Sequence, residues 1–343
     1  MHQGLGQKSV PLPQDIIFLI LNEATNTLPP FDHLSHFEGE RWDASKTSYI
    51  EEWQEAAGIL SSLSQVSKDW HGTVIPQLYK RMRLRTESQL SNAAETLEHR
   101  RHHPCPWIGC PHGDFVRVLD IGDGRDSHST AYMTSFTANI RNLVLCTPKL
   151  RSYGTSIRFL DAFSSLGSTH NSNGIFTNLL KNGKDLTTLE ISDQKSFLPD
   201  IHRLINGLPA LETFILCSMV MWELERSRKR TCSVSLKTLI IIEPPRFATH
   251  PGSRCLYGHA FYAMSSWDIP NIRTVLIHDC CAVSHVLENV SSLLLAHRSK
   301  IQSITFRRIN AEFSEKDRFL FTSEFTEFAN MHLTPTSVRF LKG

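Results

Sequence analysis

Apolar positions along this chain change their spacing near residue 76. From Tyr49 they recur at steps of three and four, as Trp53, Ala56, Ala57 and Leu60 and then Leu63, Val66, Trp70 and Val74, which is one face of a helix. Pro76 carries no N–H for the helical ladder, so the spacing predicts a stop near Ile75. Upstream, Leu12-Pro13 opens a short helix running through Leu21 whose side chains are apolar nearly all round, as expected of a helix enclosed on both sides. Residues 28 to 58 separate the two helical stretches. With Pro29-Pro30 and Trp42, this insert reads as loop until about Ser48.

After Pro76 a comb of apolar residues at n, n+3 and n+5 takes over. It begins at Tyr79/Met82/Leu84 and returns at Val116/Leu119/Ile121, Ile140/Leu143/Leu145, Leu186/Leu189/Ile191, Leu211/Phe214/Leu216, Leu236/Leu239/Ile241, Ile272/Val275/Ile277 and Ile301/Ile304/Phe306. Val338/Leu341 reads as a partial closing copy. Successive first positions are 24 to 46 residues apart, against about 20 to 29 for a regular leucine-rich repeat. The 46-residue step points to an eroded repeat near Ile157 or Leu160. Between the combs lie helical signals: a capping box at Thr86 and Gln89, a segment from Pro199 to Ile205 ending at Gly207, and an amphipathic face of Val286, Leu287, Val290, Leu293 and Leu294. A strand and a helix repeated in this way bury their apolar sides only by stacking on their neighbours. The expected fold is α/β: a short N-terminal α-helical module followed by an irregular leucine-rich-repeat solenoid, parallel strands with helices on the convex side. The asparagine of regular repeats is missing after most strands, so irregular units are expected.

In such a solenoid n, n+3 and n+5 point into the core while n+2 and n+4 face the concave sheet surface. The n+2 set, Thr188, Thr213, Thr238, Thr274 and Ser303, forms a hydroxyl ladder. The n+4 set contains Val144, Ile215, Ile240 and Leu276, an apolar row where soluble proteins keep polar residues. Two readings compete. Either the row docks a protein substrate, or the chain covers it, with 28 to 58 and 244 to 271 (Phe261, Tyr262, Trp267) as candidate covers.

Charge and composition narrow the function classes. Lys plus Arg (36) nearly cancels Asp plus Glu (34), so a net charge of +2 gives no global field to attract nucleic acid or an anionic membrane. The longest apolar run, Ile16 to Leu21, is six residues, where a membrane span needs about 20. The first ten residues lack the apolar stretch of a secretory signal, and the expected location is cytoplasm or nucleus. Eight cysteines without regular spacing then read as reduced small hydrophobes.

Chemistry-bearing clusters are few. His99 to Cys110 and His112 collect zinc-capable side chains, but the spacing matches no C-x2-C or H-x3-H pair, and the stretch reads as a connector. Asp120 to Asp126 lacks the acidic spacing of a calcium loop. Arg226 to Arg230 reads as a solvated basic loop. No G-x-S-x-G, G-x-x-x-x-G-K-[ST], G-x-G-x-x-G after a strand, or H-E-x-x-H is present, so no enzyme, metal or cofactor is expected.

Leu12-Pro13-Gln14-Asp15-Ile16-Ile17, with Leu63-Ser64-Gln65-Val66-Ser67-Lys68-Asp69-Trp70 and Pro76-Gln77-Leu78-Tyr79, resembles the F-box motif in the divergent form of fungal repeat proteins. The resemblance spans roughly the first quarter of the chain. It implies a module over residues 8 to 78, with a loop insert at 28 to 48, that docks on a Skp-type adaptor and through it on a cullin/RING ubiquitin ligase. The solenoid, 79 to 343, would then capture a protein substrate without catalysing anything itself. By the same resemblance Leu12, Pro13, Ile16, Ile17, Leu63, Val66 and Trp70 form or support the adaptor-binding face, with Trp70 the first expected in the module's core. The competing reading is a repeat scaffold with no ligase role, its first helices serving as an end cap.

Overall fold

A computed structural model describes residues 16, 17, 19 to 21, 23, 48 to 122, 130 to 155, 172 to 192, 198 to 217, 231 to 242, 264 to 278, 283 to 307, 315 to 333 and 337 to 341. Leu12, Pro13, Trp42, Ile157, Leu160, the 226 to 230 cluster, Phe261 and Tyr262 lie outside them. The chain forms two compact units, Met1–Lys80 with Cys105–Gly109, and Arg81–Pro104 with Cys110–Gly343.

The first unit holds helical residues between 16 and 23, then α1 (Ser48–Ser64) and α2 (Lys68–Lys80). Leu63, Val66, Trp70 and Val74 do not share one helix, as their spacing suggested. Ser62 and Ser64 donate their hydroxyls to the carbonyls of Gly58 and Ser61, competing with the ladder in the last turn of α1. Ser67 then caps α2, its Oγ accepting from the Trp70 N–H at 3.2 Å, and Asp69 sits in the first turn, where the helix end favours a negative charge. Nor does α2 stop at Ile75. It runs through Pro76 to Lys80. Proline removes one hydrogen bond, but Val74 and Ile75 before it are buried and Leu78 after it packs on the unit's core. Tertiary burial outweighs the local penalty.

The second unit is a nine-stranded parallel sheet in strict chain order: β1 (Arg81–Leu84), β2 (Val118–Ile121), β3 (Ser152–Thr155), β4 (Thr188–Ser192), β5 (Thr213–Cys217), β6 (Thr238–Ile242), β7 (Thr274–His278), β8 (Ser303–Arg307) and β9 (Ser337–Leu341). Its described helices are α3 (Glu87–His102), α4 (Thr130–Cys146), α5 (Ser172–Asn182), α6 (Leu198–Gly207), α7 (Val283–Ala296) and α8 (Glu315–His332), and a short 3-10 turn spans His112–Phe115. The capping box opening α3 forms as expected: Thr86 accepts from the Gln89 N–H, and the Gln89 side chain accepts from the Thr86 N–H.

Two combs need correcting. Ile140, Leu143 and Leu145 are not a strand. They lie on α4, together with Val144. A spacing of three suits either element, and a run of apolar residues this short does not separate them. The third strand is Ser152–Thr155, whose comb is Leu150/Tyr153/Thr155. A tyrosine and a threonine at the inward positions hid it. At the end of the chain Val338 pairs with Ile304 and Phe340 with Phe306, so Val338 holds the n+3 position and Phe340 the n+5, a shift of three from the sequence reading. Phe340 stacks on Phe306 at 5.4 Å, and Phe325 of α8 meets Phe306 edge-on at 4.5 Å.

The inward rows are otherwise as the comb implied. Leu119, Tyr153, Leu189, Phe214, Leu239, Val275 and Ile304 occupy n+3 in register, and all are buried. The hydroxyl ladder also forms, with each Thr directly opposite the next, and Ser152 and Ser337 extend it at its two ends. Trp267 packs against His202 of α6 (5.9 Å) and Phe214 (6.3 Å). It therefore lies on the helix side of the sheet and does not cover the n+4 row, because Ile215 points the opposite way from Phe214.

Ile215 and Ile240 are nevertheless fully buried and Leu276 nearly so. Each Ile→Ala change should cost about 2 to 5 kcal/mol. The pair Ile215→Ala and Ile240→Ala should then lower the thermal midpoint of the full chain by about 10 °C or more, read by circular dichroism. A shift under about 3 °C would mean the row lies open.

Candidate functional site

Two surfaces carry the residues singled out from the sequence. In the first unit, Ile17 and Leu21 face inward and join Leu60, Trp70 and Val74 in one buried cluster, with Leu63 and Leu78 against it. Ile16, Leu19 and Ile20 stand one and two positions away and stay 41%, 66% and 39% exposed. At i, i+3 and i+4 they form a second apolar stripe among the same helical residues. Val66, in the turn between α1 and α2, is 64% exposed, and Ile59 of α1 is also exposed. The suggested adaptor face thus divides: Ile17, Trp70 and, in part, Leu63 hold the helices together, while Ile16 and Val66 present surface. Leu19 and Ile20 belong with the presented set. Their alternation with Ile17 and Leu21 could have been read from a helical wheel, had the all-round apolar run not suggested uniform burial.

Residues 105 to 109 return to this unit. Gly109 adopts φ 72°, where glycine avoids the strain of a Cβ, and its N–H and that of Ile108 both donate to the Cys105 carbonyl. The turn sets Trp107 edge-on to His71 at 5.9 Å and under the Lys68 ammonium at 5.1 Å. Half of Trp107 stays exposed.

On the sheet, the n+4 row changes character along its length: Arg83, Asp120, Gly154 and Glu190 in β1 to β4, then Ile215, Ile240 and Leu276 in β5 to β7. Asp120 is buried and takes two guanidinium groups, Arg85 at 2.6 Å and Arg83 at 3.4 Å. Gly122 permits this, since a Cβ there would run into the Arg85 head. Glu190 is buried beside Gly154, where any side chain would crowd its carboxylate. Val144, expected in this row, lies on α4. Ile215, Ile240 and Leu276 occupy the expected positions but offer almost no side-chain surface.

Other titratable groups serve packing. Burial, and then the Glu190 carboxylate, push the Tyr153 phenol up. Burial pushes the Cys146 thiol up as well, away from the reactive thiolate. His297 is buried with Nε2 3.4 Å from the Met264 carbonyl, and its pKa is lowered: burial outweighs the raising effect of that carbonyl, while Lys300 adds to the lowering and Asp268 opposes it. Among the described residues no three His, Cys, Asp or Glu side chains converge on a metal-holding position, and no described helix is long and apolar enough to cross a membrane. No protein-family model matches the chain, and no curated protein matches it.

A lowered folded-state pKa means that the unfolded chain takes the proton more readily at position 297. The stability from keeping His297 neutral is present above about pH 6.5 and is lost as pH falls toward the folded value. The full chain should unfold at progressively lower temperature between pH 7 and 5, and His297→Gln should flatten that dependence; an unchanged slope would remove His297 as its source. Asp120→Asn should cost about 3 kcal/mol in chemical denaturation, because it leaves two partly buried guanidinium groups without their shared carboxylate.

Proposed function

We propose that this chain is the non-catalytic substrate receptor of a Skp/cullin/F-box-type ubiquitin ligase, its first unit docking on the adaptor and its repeat sheet unit capturing a protein substrate. The observation that carries this reading is the division of the N-terminal helix. Of the described helical residues here, Ile17 and Leu21 join the unit's core, yet Ile16, Leu19 and Ile20 stay in water. An apolar stripe exposed at such cost fits a helix-on-helix interface with another protein. The order of the units supports the same reading: a small helical handle leads by chain continuity into a stack of nine strands. A receptor of this kind accelerates ubiquitin transfer by raising the local concentration of its substrate, which needs no catalytic side chain.

The residues to change are therefore Ile16 and Ile20. The double variant Ile16→Asp, Ile20→Asp should keep the wild-type thermal midpoint within about 3 °C, since both positions are already in water. It should lose co-purification with a co-expressed Skp-type adaptor at least tenfold. Ile17→Asp should instead unfold the unit, because it buries a carboxylate in the cluster around Trp70. A wild-type chain that fails to co-purify with the adaptor would leave the scaffold reading in its place.

A further inference from the structure

We propose that the sheet edge at the N-terminal ends of β3 to β8 is a binding ledge for an acidic polypeptide segment. In a parallel sheet every strand begins on the same side, so the connections leading into successive strands lie side by side. Here the register continues one residue ahead of the named strands. The Thr187 N–H donates to the Arg151 carbonyl, Glu212 to Thr187, Lys237 to Glu212, Arg273 to Lys237 and Gln302 to Arg273. Arg151, Thr187, Glu212, Lys237, Arg273 and Gln302 are consecutive rungs of one ladder.

The six connections, residues 147–151, 183–187, 208–212, 233–237, 269–273 and 298–302, contain Lys149, Arg151, Lys184, Lys237, Arg273 and Lys300, with Arg298 a seventh cation. Their carboxylates are Asp185 and Glu212 alone. An excess of five on this edge is larger than the +2 of the whole chain. Part of it answers the helices. The C-termini of α4, α5, α6 and α7 lead into these strands, and each carries about half a negative charge, roughly two in all.

Lys237 bonds Glu212 at 2.6 Å and Lys149 bonds Asp114 at 3.3 Å. Among the described residues, Arg151, Lys184 and Arg273 are exposed and pair with no carboxylate, although Arg273 sits one rung from Lys237, a like-charge neighbour that costs stability. A carboxylate supplied from outside would relieve that repulsion, as Glu212 does on the other side of Lys237.

The shape of the ledge favours polypeptide over nucleic acid. β3 to β8 are five strand spacings apart, about 24 Å at 4.8 Å each, the reach of about seven extended residues. None of the six connections holds an aromatic residue on which bases could stack. The inference does not depend on adaptor docking, which involves the other unit.

The test uses the full chain alone and two fluorescent probes, a deca-glutamate peptide and a 20-nucleotide oligo(dT), read by anisotropy at 50 and 300 mM NaCl. Deca-glutamate should bind at 50 mM NaCl, weaken at least threefold at 300 mM, and lose at least tenfold in the variant Arg151→Glu, Arg273→Glu. Arg339→Glu, an exposed change on β9 away from this edge, should leave binding unaltered. If charge reversal disturbs thermal unfolding, Arg151→Gln with Arg273→Gln replaces it, with a threefold loss expected. No binding of the peptide at 50 mM NaCl, equal binding by the double variants, or tighter binding of oligo(dT) than of peptide would each overturn the proposal.

Discussion

Register between neighbouring strands is the constraint on which this protein depends. A parallel pair places each residue opposite one residue of the next strand, so a comb buried on one strand is buried on all of them only if every strand keeps the same offset. Leu189, Phe214, Leu239, Val275 and Ile304 meet this condition as consecutive neighbours, and the threonines one residue before them meet it on the opposite face. The connections can then vary in length, since the sheet asks only that each strand return to the same rung. Variation of this kind would serve the proposed receptor role, because specificity can change in the connections while the ladder stands.

The same ladder gives the sheet two different surfaces away from the helices. Toward its first strands the n+4 row is a buried charged set, in which Asp120 is shared by Arg83 and Arg85. In its middle the row is aliphatic and closed to water at Ile215 and Ile240. Satisfied by ion pairs in its first strands and by burial in its middle, the row has little to offer a partner there. On the edge before the strands, Arg151, Lys184 and Arg273 are exposed and stand without carboxylates among the described residues.

In the first unit the economy is of a different kind. Three short helical stretches make one small cluster around Trp70, and a cluster of that size needs few side chains. The surplus apolar residues, Ile16, Leu19, Ile20 and Val66, remain outside. Such a surplus is destabilising to leave in water and gains its purpose only when another surface covers it, which connects the small core directly to the proposed docking role.

Much of the architecture was legible in the residues because periodicity survives without coordinates. The comb located β1, β2 and β4 to β8 in register and β9 three residues out, the capping box at Thr86 marked the start of α3, and the threonine ladder announced which positions would face one another. Where identity and geometry parted, tertiary structure decided. Pro76 remains inside α2 because burial on both sides of it outweighs one missing hydrogen bond. Tyr153 and Thr155 make a strand that no aliphatic pattern revealed, since the neighbouring strands supply the pairing that the residues themselves do not advertise. Whether an isoleucine on a sheet is surface or core, and whether a lysine before a strand is paired or free, depends on what the fold brings beside it. Spacing along a chain fixes which residues share a face; only the packed chain settles what that face meets.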